Sequence, residues 1–133
     1  TWTRRPGSRP RAGAPVIRGR LTADSEARVP ITLRGAKPSI IDAVLDTGFN
    51  GYLCLARRHR RAMALKRIGR EPFELADGRR LTLDVYLGEV TFDGARQPTL
   101  VTLTDAVDSL IGTALLRDKR IVLDFRRRTF SVG

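Results

Sequence analysis

The sequence predicts a mainly β fold, a small barrel or sandwich of about eight short strands with two helices. Three observations support this prediction. Apolar and polar residues alternate with a period of two in several segments, as they do in half-buried strands. Two Asp-Gly pairs, at 77–78 and 93–94, are typical of tight hairpin turns. The chain has 133 residues and is 41% hydrophobic, which suits one domain with its own core.

The first segment differs from the rest of the chain in composition. It contains no acid among its first 20 residues, but several prolines and glycines and six arginines, which are Arg4, Arg5, Arg9, Arg11, Arg18 and Arg20. Such a segment cannot bury enough apolar surface to offset the entropy lost on ordering. We therefore expect a flexible basic arm over residues 1–26 and a folded domain over residues 27–133.

The folded domain is expected to begin with three strands and a helix. Alternating apolar residues predict a strand over 29–33, and a nearly continuous apolar run predicts a buried strand over 40–45 that ends at Asp46. A further short strand is predicted over 52–55. Residues 56–65 favour a helix, because Ala, Arg, Met and Leu are good helix formers.

The remainder of the chain is expected to form hairpins. The two Asp-Gly turns each join a pair of predicted strands, and a last hairpin turns around residues 126–128. A brief helix over 113–117, with Thr113 as its N-cap, interrupts the series. The predicted strands in this part lie at 73–75, 81–87, 90–92, 100–103, 121–125 and 130–132, and residues 110–112 are a short apolar run.

The triplet Asp46-Thr47-Gly48 is the candidate catalytic motif. A carboxylate and a hydroxyl follow a rigid apolar strand, an arrangement that can present an acid or base at a polar turn. Two neighbouring carboxylates can share one proton and act as acid and base together. The chain contains no second Asp-Thr-Gly, so Asp46 has no such partner within its own sequence. The alternative is an ordinary turn, in which the aspartate accepts hydrogen bonds from nearby amides.

Three motifs occur in a fixed order along the chain. They are Asp46-Thr47-Gly48-Phe49-Asn50-Gly51, the Asp77-Gly78 hairpin, and Leu110-Ile111-Gly112 followed by a predicted helix. In this order they resemble the retropepsin-like aspartic proteases, especially the small single-domain bacterial members, over residues 27–132. The resemblance implies an acid-protease fold, a closed barrel of short strands with one or two short helices. It also implies a homodimeric endopeptidase in which each subunit gives one Asp46 to a water-activating dyad, and two-fold dimers are the commonest oligomers.

The resemblance implies roles for the other motif residues. Thr47 and Gly48 would support the catalytic loop, and Leu110, Ile111 and Gly112 would pack beneath it. Residues expected to bind an extended peptide substrate are Gly48, Phe49, Asn50, Asp77 and Gly78, the last two at the tip of a flap. Thr129–Val132 is the candidate strand of the subunit interface. No metal and no other cofactor is expected.

The sequence departs from the family pattern in two places. Viral members usually have Ala and then Asp or Ser after the glycine of the triplet, where this chain has Phe49 and Asn50. Asn50 can form hydrogen bonds but cannot act as a carboxylate, and Phe49 is expected to narrow the site. The predicted flap has Gly78 as its one glycine near the tip.

The positive charge supports an alternative hypothesis. The net charge of +11 attracts polyanions, so the basic arm is a candidate for secondary polyanion binding. A protease-like fold that only binds nucleic acid or protein is the alternative function, with the basic run over residues 57–70 as its surface. Aromatic residues for base stacking are scarce, and no known nucleic-acid motif is present. An arginine-rich genome would explain the charge without any partner.

The remaining observations limit location and chemistry. No apolar stretch approaches the roughly 18 residues of a membrane span, so we expect a cytoplasmic protein or the soluble domain of a membrane-anchored one. The one cysteine, Cys54, cannot form an internal disulfide, and the one histidine, His59, leaves no His-rich zinc site. We expect Cys54 to be a small buried residue rather than a nucleophile.

Overall fold

The structure is a computed structural model, and it describes residues 16–75 and 77–133. The described residues form ten strands and one short 3-10 helix, Arg57–Ala62. The strands are β1 (Ile17–Arg20), β2 (Arg28–Leu33), β3 (Ser39–Leu45), β4 (Leu53–Ala56), β5 (Lys66–Glu74), β6 (Arg80–Phe92), β7 (Ala95–Thr104), β8 (Ser109–Ile111), β9 (Ile121–Asp124) and β10 (Thr129–Val132).

Six strands close into a barrel, as predicted. Their order is β2, β3, β8, β4, β7 and β6, and the circle is completed because β2 also pairs with β6. The pairs β3–β8 and β4–β7 are parallel, and the others in the circle are antiparallel. Strand β5 lies outside the circle and pairs along β6, forming a long hairpin that extends from the barrel.

The core lies inside the barrel and follows from the alternation of the sequence. On β2, Val29, Ile31 and Leu33 are fully buried, whereas Pro30 between them is exposed. The other strands supply further buried side chains, among them Ala43, Leu53, Leu55, Val90, Phe92, Val101 and Ile111. Apolar residues at every second position therefore decide which face of each strand points inward.

A second, three-stranded sheet corrects the predicted boundary of the basic arm. Its order is β1, β10, β9, and β1 pairs with β10 in the register Ile17↔Val132. Leu21, just after β1, is buried in the core. The folded domain therefore begins at or before Ile17 and not at Ala27, while the part of the arm over residues 1–15 lies outside the described residues.

The same sheet changes the expectation for the last strand. β10 lies between β1 and β9, so both of its hydrogen-bonding edges are occupied by its own chain. A partner subunit cannot extend the sheet at Thr129–Val132 through backbone pairing. Among the described strands of this sheet, β1 and β9 are the two at the edges.

The helix predicted over 56–65 is wrong in type and length. Ala56 still belongs to β4, and the helical part is the 3-10 helix Arg57–Ala62. This helix contains no buried residue, so no apolar face stabilises a longer α-helix. Met63, which is buried, has already returned to extended backbone.

The brief helix predicted over 113–117 is also wrong, because this segment forms consecutive turns. The backbone N–H groups of Leu115 and Leu116 donate to the carbonyls of Gly112 and Thr113, at 3.1 Å each. Thr113 is not an N-cap, since no helix follows it, and its own N–H donates to the Phe49 carbonyl. Strand prediction was more successful, although β6 runs through Gly88 as one strand where two were expected.

Candidate active site

Asp46 is the first residue after a buried barrel strand. β3 runs parallel to β8 with Leu45 opposite Ile111, and the Asp46 N–H continues this ladder by donating to the Ile111 carbonyl at 3.0 Å. Ala43 and Val44, just before, are buried. The backbone of Asp46 is thus fixed by the sheet, whereas its side chain is half-buried at the barrel surface.

The carboxylate of Asp46 is oriented by its own turn. Its Oδ1 accepts a hydrogen bond from the Gly48 N–H at 2.9 Å, and the Asp46 carbonyl accepts one from the Phe49 N–H at 3.1 Å. A Cβ at Gly48 would lie 3.2 Å from this Oδ1, tighter than an ordinary contact. Among the described residues, no ion pair reaches Asp46 and no hydrogen bond reaches its other oxygen. One carboxylate oxygen is therefore held, and the other is available for a ligand.

The turn rests on the segment that contains Gly112. The N–H groups of Gly112, Thr113 and Ala114 donate to the carbonyls of Tyr52, Phe49 and Gly51, at 2.9, 2.8 and 3.2 Å. A Cβ at Gly112 would lie 2.1 Å from the Gly51 oxygen, a distance at which only glycine fits. The structure therefore brings together residues 46–52 and residues 110–114, which are far apart in the sequence.

An open groove lies between the loop of residues 46–52, which we call the Asp46 loop, and the β5–β6 hairpin. Its volume is about 440 Å³, and its lining consists of residues 48–53, residues 71–74, Val85, Leu100 and Thr102. Three of the five predicted substrate-binding residues, Gly48, Phe49 and Asn50, are in this lining.

The other two, Asp77 and Gly78, are not in the groove lining. They form the tip of the β5–β6 hairpin, where Gly78 has a φ of +85° and Asp77 Oδ1 accepts from the Arg79 N–H at 3.0 Å. In their place, residues 71–74 of β5 line the groove, and none of these residues was among the predicted substrate-binding residues. The Asp77-Gly78 turn did indicate the position of β5, because a hairpin turn predicts that the strand before it pairs with the strand after it.

A second cavity lies on the other side of Asp46. Its volume is about 320 Å³, and it is lined by Asp46 and Thr47 together with residues 25–27, Val44, Leu45, Leu110, Ile121 and Leu123. Ile121 and Leu123 belong to the edge strand β9. Leu123 is 41% exposed and the neighbouring Phe125 is 61% exposed. Asp46 and Thr47 therefore adjoin a partly apolar surface at the free edge of the smaller sheet.

The single cysteine and the single histidine have shifted acidities. Cys54, which was expected to be buried, is half-buried. Its partial burial, and to a smaller extent the negative charge of Asp46, raises the pKa of the thiol. Burial and the Arg58 guanidinium lower the pKa of His59. Both groups are thus neutral over a wider pH range than usual, and a neutral thiol is a poor nucleophile.

The basic run is on the surface and is partly paired. Arg57 bonds Asp105 at 2.8 Å, and the guanidinium of Arg60 lies 5.6 Å from the ring centre of Tyr86. All basic side chains of the run are exposed, namely Arg57, Arg58, Arg60, Arg61, Lys66, Arg67 and Arg70.

The fold is that of the retropepsin-like proteases. A retropepsin-like aspartic protease from Rickettsia conorii superposes with a TM-score of 0.64 at 15% identity, covering 88% of this chain and 89% of that one. The protease of simian foamy virus superposes with a TM-score of 0.52 at 14% identity, covering 68% of this chain and 91% of the viral one. The fold expected from the three motifs is thereby confirmed.

Comparisons of sequence alone find no relative. No protein-family model and no curated protein matches this chain. In the part of the chain that the structure describes, no helix has the length and apolar character needed to cross a membrane.

Proposed function

We propose that this protein is an aspartic endopeptidase that acts as a homodimer. The observation that supports the proposal best is the Asp46 turn, held on the Gly112 segment in a retropepsin-like fold. Asp46 ends a rigid strand, one of its oxygens is oriented by the Gly48 amide, and the adjoining groove can hold an extended chain.

The chemistry requires a second copy of Asp46. A water molecule that attacks a peptide carbonyl must lose a proton, and the leaving amine must gain one. Two close carboxylates do both, because mutual repulsion keeps one of them protonated. Within the described residues no other carboxylate pairs with Asp46, so the proposed dyad consists of Asp46 from each of two subunits. In this arrangement Thr47 supports the loop of the partner.

The proposed subunit contact includes the edge strand β9. Leu123 lies in the cavity beside Asp46 and Thr47, so apolar surface there adjoins the residues that must meet across the two-fold axis. Leu123→Glu is expected to weaken the dimer. In sedimentation the variant should be monomeric at concentrations where the wild type is dimeric, and its activity should recover as concentration rises. If wild type and Leu123→Glu form dimers at the same concentration, β9 is not part of the interface.

The central test is Asp46→Asn, which preserves the hydrogen bond from Gly48 but removes the base. Wild type and variant are incubated with a diverse peptide library between mildly acidic and neutral pH, after sedimentation has established that both are dimeric. Cleavage should disappear in Asp46→Asn. The matched control is Asp42→Asn, which removes an exposed carboxylate from the same strand and should leave cleavage intact. Equal cleavage by wild type and Asp46→Asn would refute the proposal.

The alternative is a binding module without catalysis, favoured by the exposed basic run on and after the 3-10 helix. Phosphate contacts release counterions, so nucleic-acid affinity would fall steeply with salt. Binding is measured across a salt series for the whole chain and for a chain without residues 1–15. A flat salt response would exclude this alternative, and unchanged binding by the shorter chain would exclude a contribution from that part of the basic arm.

A further inference from the structure

The groove beside the Asp46 loop has an unusual charge for this protein. The chain contains 25 basic and 14 acidic residues, yet the charged side chains in the groove lining are Glu71 and Glu74, with no Lys or Arg among them. Elsewhere most acids are paired with arginine or lysine, as in the pairs of Asp84, Asp105 and Asp108. Within the described residues, neither groove glutamate has an ion-pair partner.

The two glutamates differ in position on β5. Side chains alternate along a strand, so Glu71 shares a face with Phe73, which is half-buried. Glu74 lies on the opposite face, and its cross-strand neighbour is Arg80. The cross-strand neighbour of Glu71 is Leu83, which offers no charge. Of the two glutamates, Glu71 is therefore the one whose cross-strand neighbour carries no positive charge.

Aromatic residues supply the rest of a cation site. Phe49, Tyr52 and Phe73 line the groove together with Glu71. Aromatic faces attract cations and also pack against the methylene stems of Lys and Arg. A long basic side chain can thus lay its stem on the rings and direct its charge to the Glu71 carboxylate.

We propose that the groove binds a Lys or Arg side chain of the peptide substrate, and that Glu71 is the residue that selects it. This inference rests on the proposed function, since it assigns a substrate preference to the same site. The net charge of +11 repels cationic peptides at long range, so the preference arises from the groove alone.

The experiment uses three sets of octapeptides that differ at one position. Arginine, its neutral isostere citrulline, or glutamate is moved through each position of an otherwise apolar peptide. Wild type should cleave the best arginine peptide about fivefold faster, in kcat/KM, than its citrulline counterpart, as expected for an exposed charge pair. The glutamate peptide should be cleaved slowest, and high salt should reduce the preference.

Variants separate Glu71 from general charge effects. Glu71→Gln should abolish the preference for arginine over citrulline, and Glu74→Gln should reduce it less. Asp24→Asn removes the same single charge at an exposed position outside the groove and should leave the preference unchanged. Equal cleavage of arginine and citrulline peptides by wild type would overturn the inference, and a larger effect of Glu74→Gln would overturn the role of Glu71.

Binding to Asp46→Asn protein distinguishes this inference from the proposed function. Fluorescently labelled arginine and citrulline peptides are titrated with Asp46→Asn dimer and with the Asp46→Asn, Glu71→Gln double variant. Tighter binding of the arginine peptide that depends on Glu71 supports the inference even where wild type cleaves no peptide. Cleavage without charge preference would instead support the protease and reject the inference.

Discussion

The Asp46 loop and the β5–β6 hairpin both contribute to the groove lining, but the loop and the hairpin tip are held in different ways. The loop is fixed by hydrogen bonds to residues 110–114, which lie far away in the sequence. The hairpin tip is closed by neighbours, with Leu75 N–H donating to the Arg79 carbonyl at 2.7 Å and Gly78 N–H donating to the Leu75 carbonyl at 2.9 Å.

This difference separates a rigid side of the site from one that can open locally. Moving the loop breaks long-range hydrogen bonds and the end of the β3–β8 ladder, so it needs much of the free energy of unfolding. Opening the hairpin tip breaks local bonds only, and β5 pairs with no strand besides β6 among those described. Under the proposed function, such an arrangement suits a fixed Asp46 covered by a segment that admits substrate.

The largest effect on stability is expected from Gly112→Ala. The added Cβ would lie 2.1 Å from the Gly51 oxygen and 2.7 Å from the Phe49 oxygen, both backbone atoms that cannot rotate away. We expect a loss of about 3 kcal/mol in the free energy of unfolding, measured by urea denaturation. Gly69→Ala is the matched control, because a Cβ there has no neighbour within 4 Å, and it should be near neutral. Equal stability of the two variants would show that the loop is not tightly held.

The next largest effect is expected from Lys119→Met. Lys119 follows the Gly112 segment and its Nζ lies 3.0 Å from Asp93 Oδ2, with the two side chains 18% and 6% exposed. Removing the cation leaves a buried carboxylate uncompensated, and we expect a loss of about 2 kcal/mol, below the range for fully buried pairs. The control is Arg96→Met, which breaks the exposed pair with Glu89 and should cost less than about 1 kcal/mol. A larger loss in Arg96→Met would contradict this ranking.

The two regions also differ in how well the sequence predicted them. The hairpins were predictable because Asp77-Gly78 and Asp93-Gly94 specify their turns locally. Asp46 was recognisable as a candidate because a polar triplet interrupts an apolar strand. Its turn could be placed on residues 110–112 only through the family resemblance, because this contact depends on long-range pairing.

Two of the wrong predictions, the helix over 113–117 and the start of the domain at Ala27, share the same physical origin. Residues 113–117 have a composition compatible with a helix. The carbonyls of Phe49 and Gly51 instead accept hydrogen bonds from the N–H groups of Thr113 and Ala114. β1 lies in a basic segment with few apolar residues. It forms a strand because each of its four residues pairs with a residue of β10. Tertiary contacts overrode local preference in both cases.

A smaller effect is expected at the hairpin tip from Gly78→Ala. A Cβ there meets no atom within 4 Å, so the cost comes from the φ of +85° alone. We expect a loss of about 1 kcal/mol in urea denaturation. Gly78→Asn should lose less, because asparagine tolerates this conformation better than alanine. A loss as large as that of Gly112→Ala would mean that the tip is packed as tightly as the loop.

The smallest effect concerns the reactivity of the Cys54 thiol, which involves no substitution and reports local opening directly. Cys54 lies on β4, directly after the loop, and burial raises the pKa of its thiol. At pH 8 the thiolate fraction is therefore below that of an ordinary cysteine, and iodoacetamide should react at least tenfold more slowly than with the urea-unfolded protein. The rate should rise as pH approaches the raised pKa.

This reaction also tests the contrast between the two regions. Cys54 is half-buried, so loosening the loop beside it exposes the thiol further. Gly112→Ala should therefore speed the reaction markedly, whereas Gly78→Ala, at the hairpin tip, should leave it near the wild-type rate. Equal acceleration by both variants would mean that loop and tip open together, as one unit. A rate that rises in the loop variant alone would show that the loop opens independently of the hairpin tip.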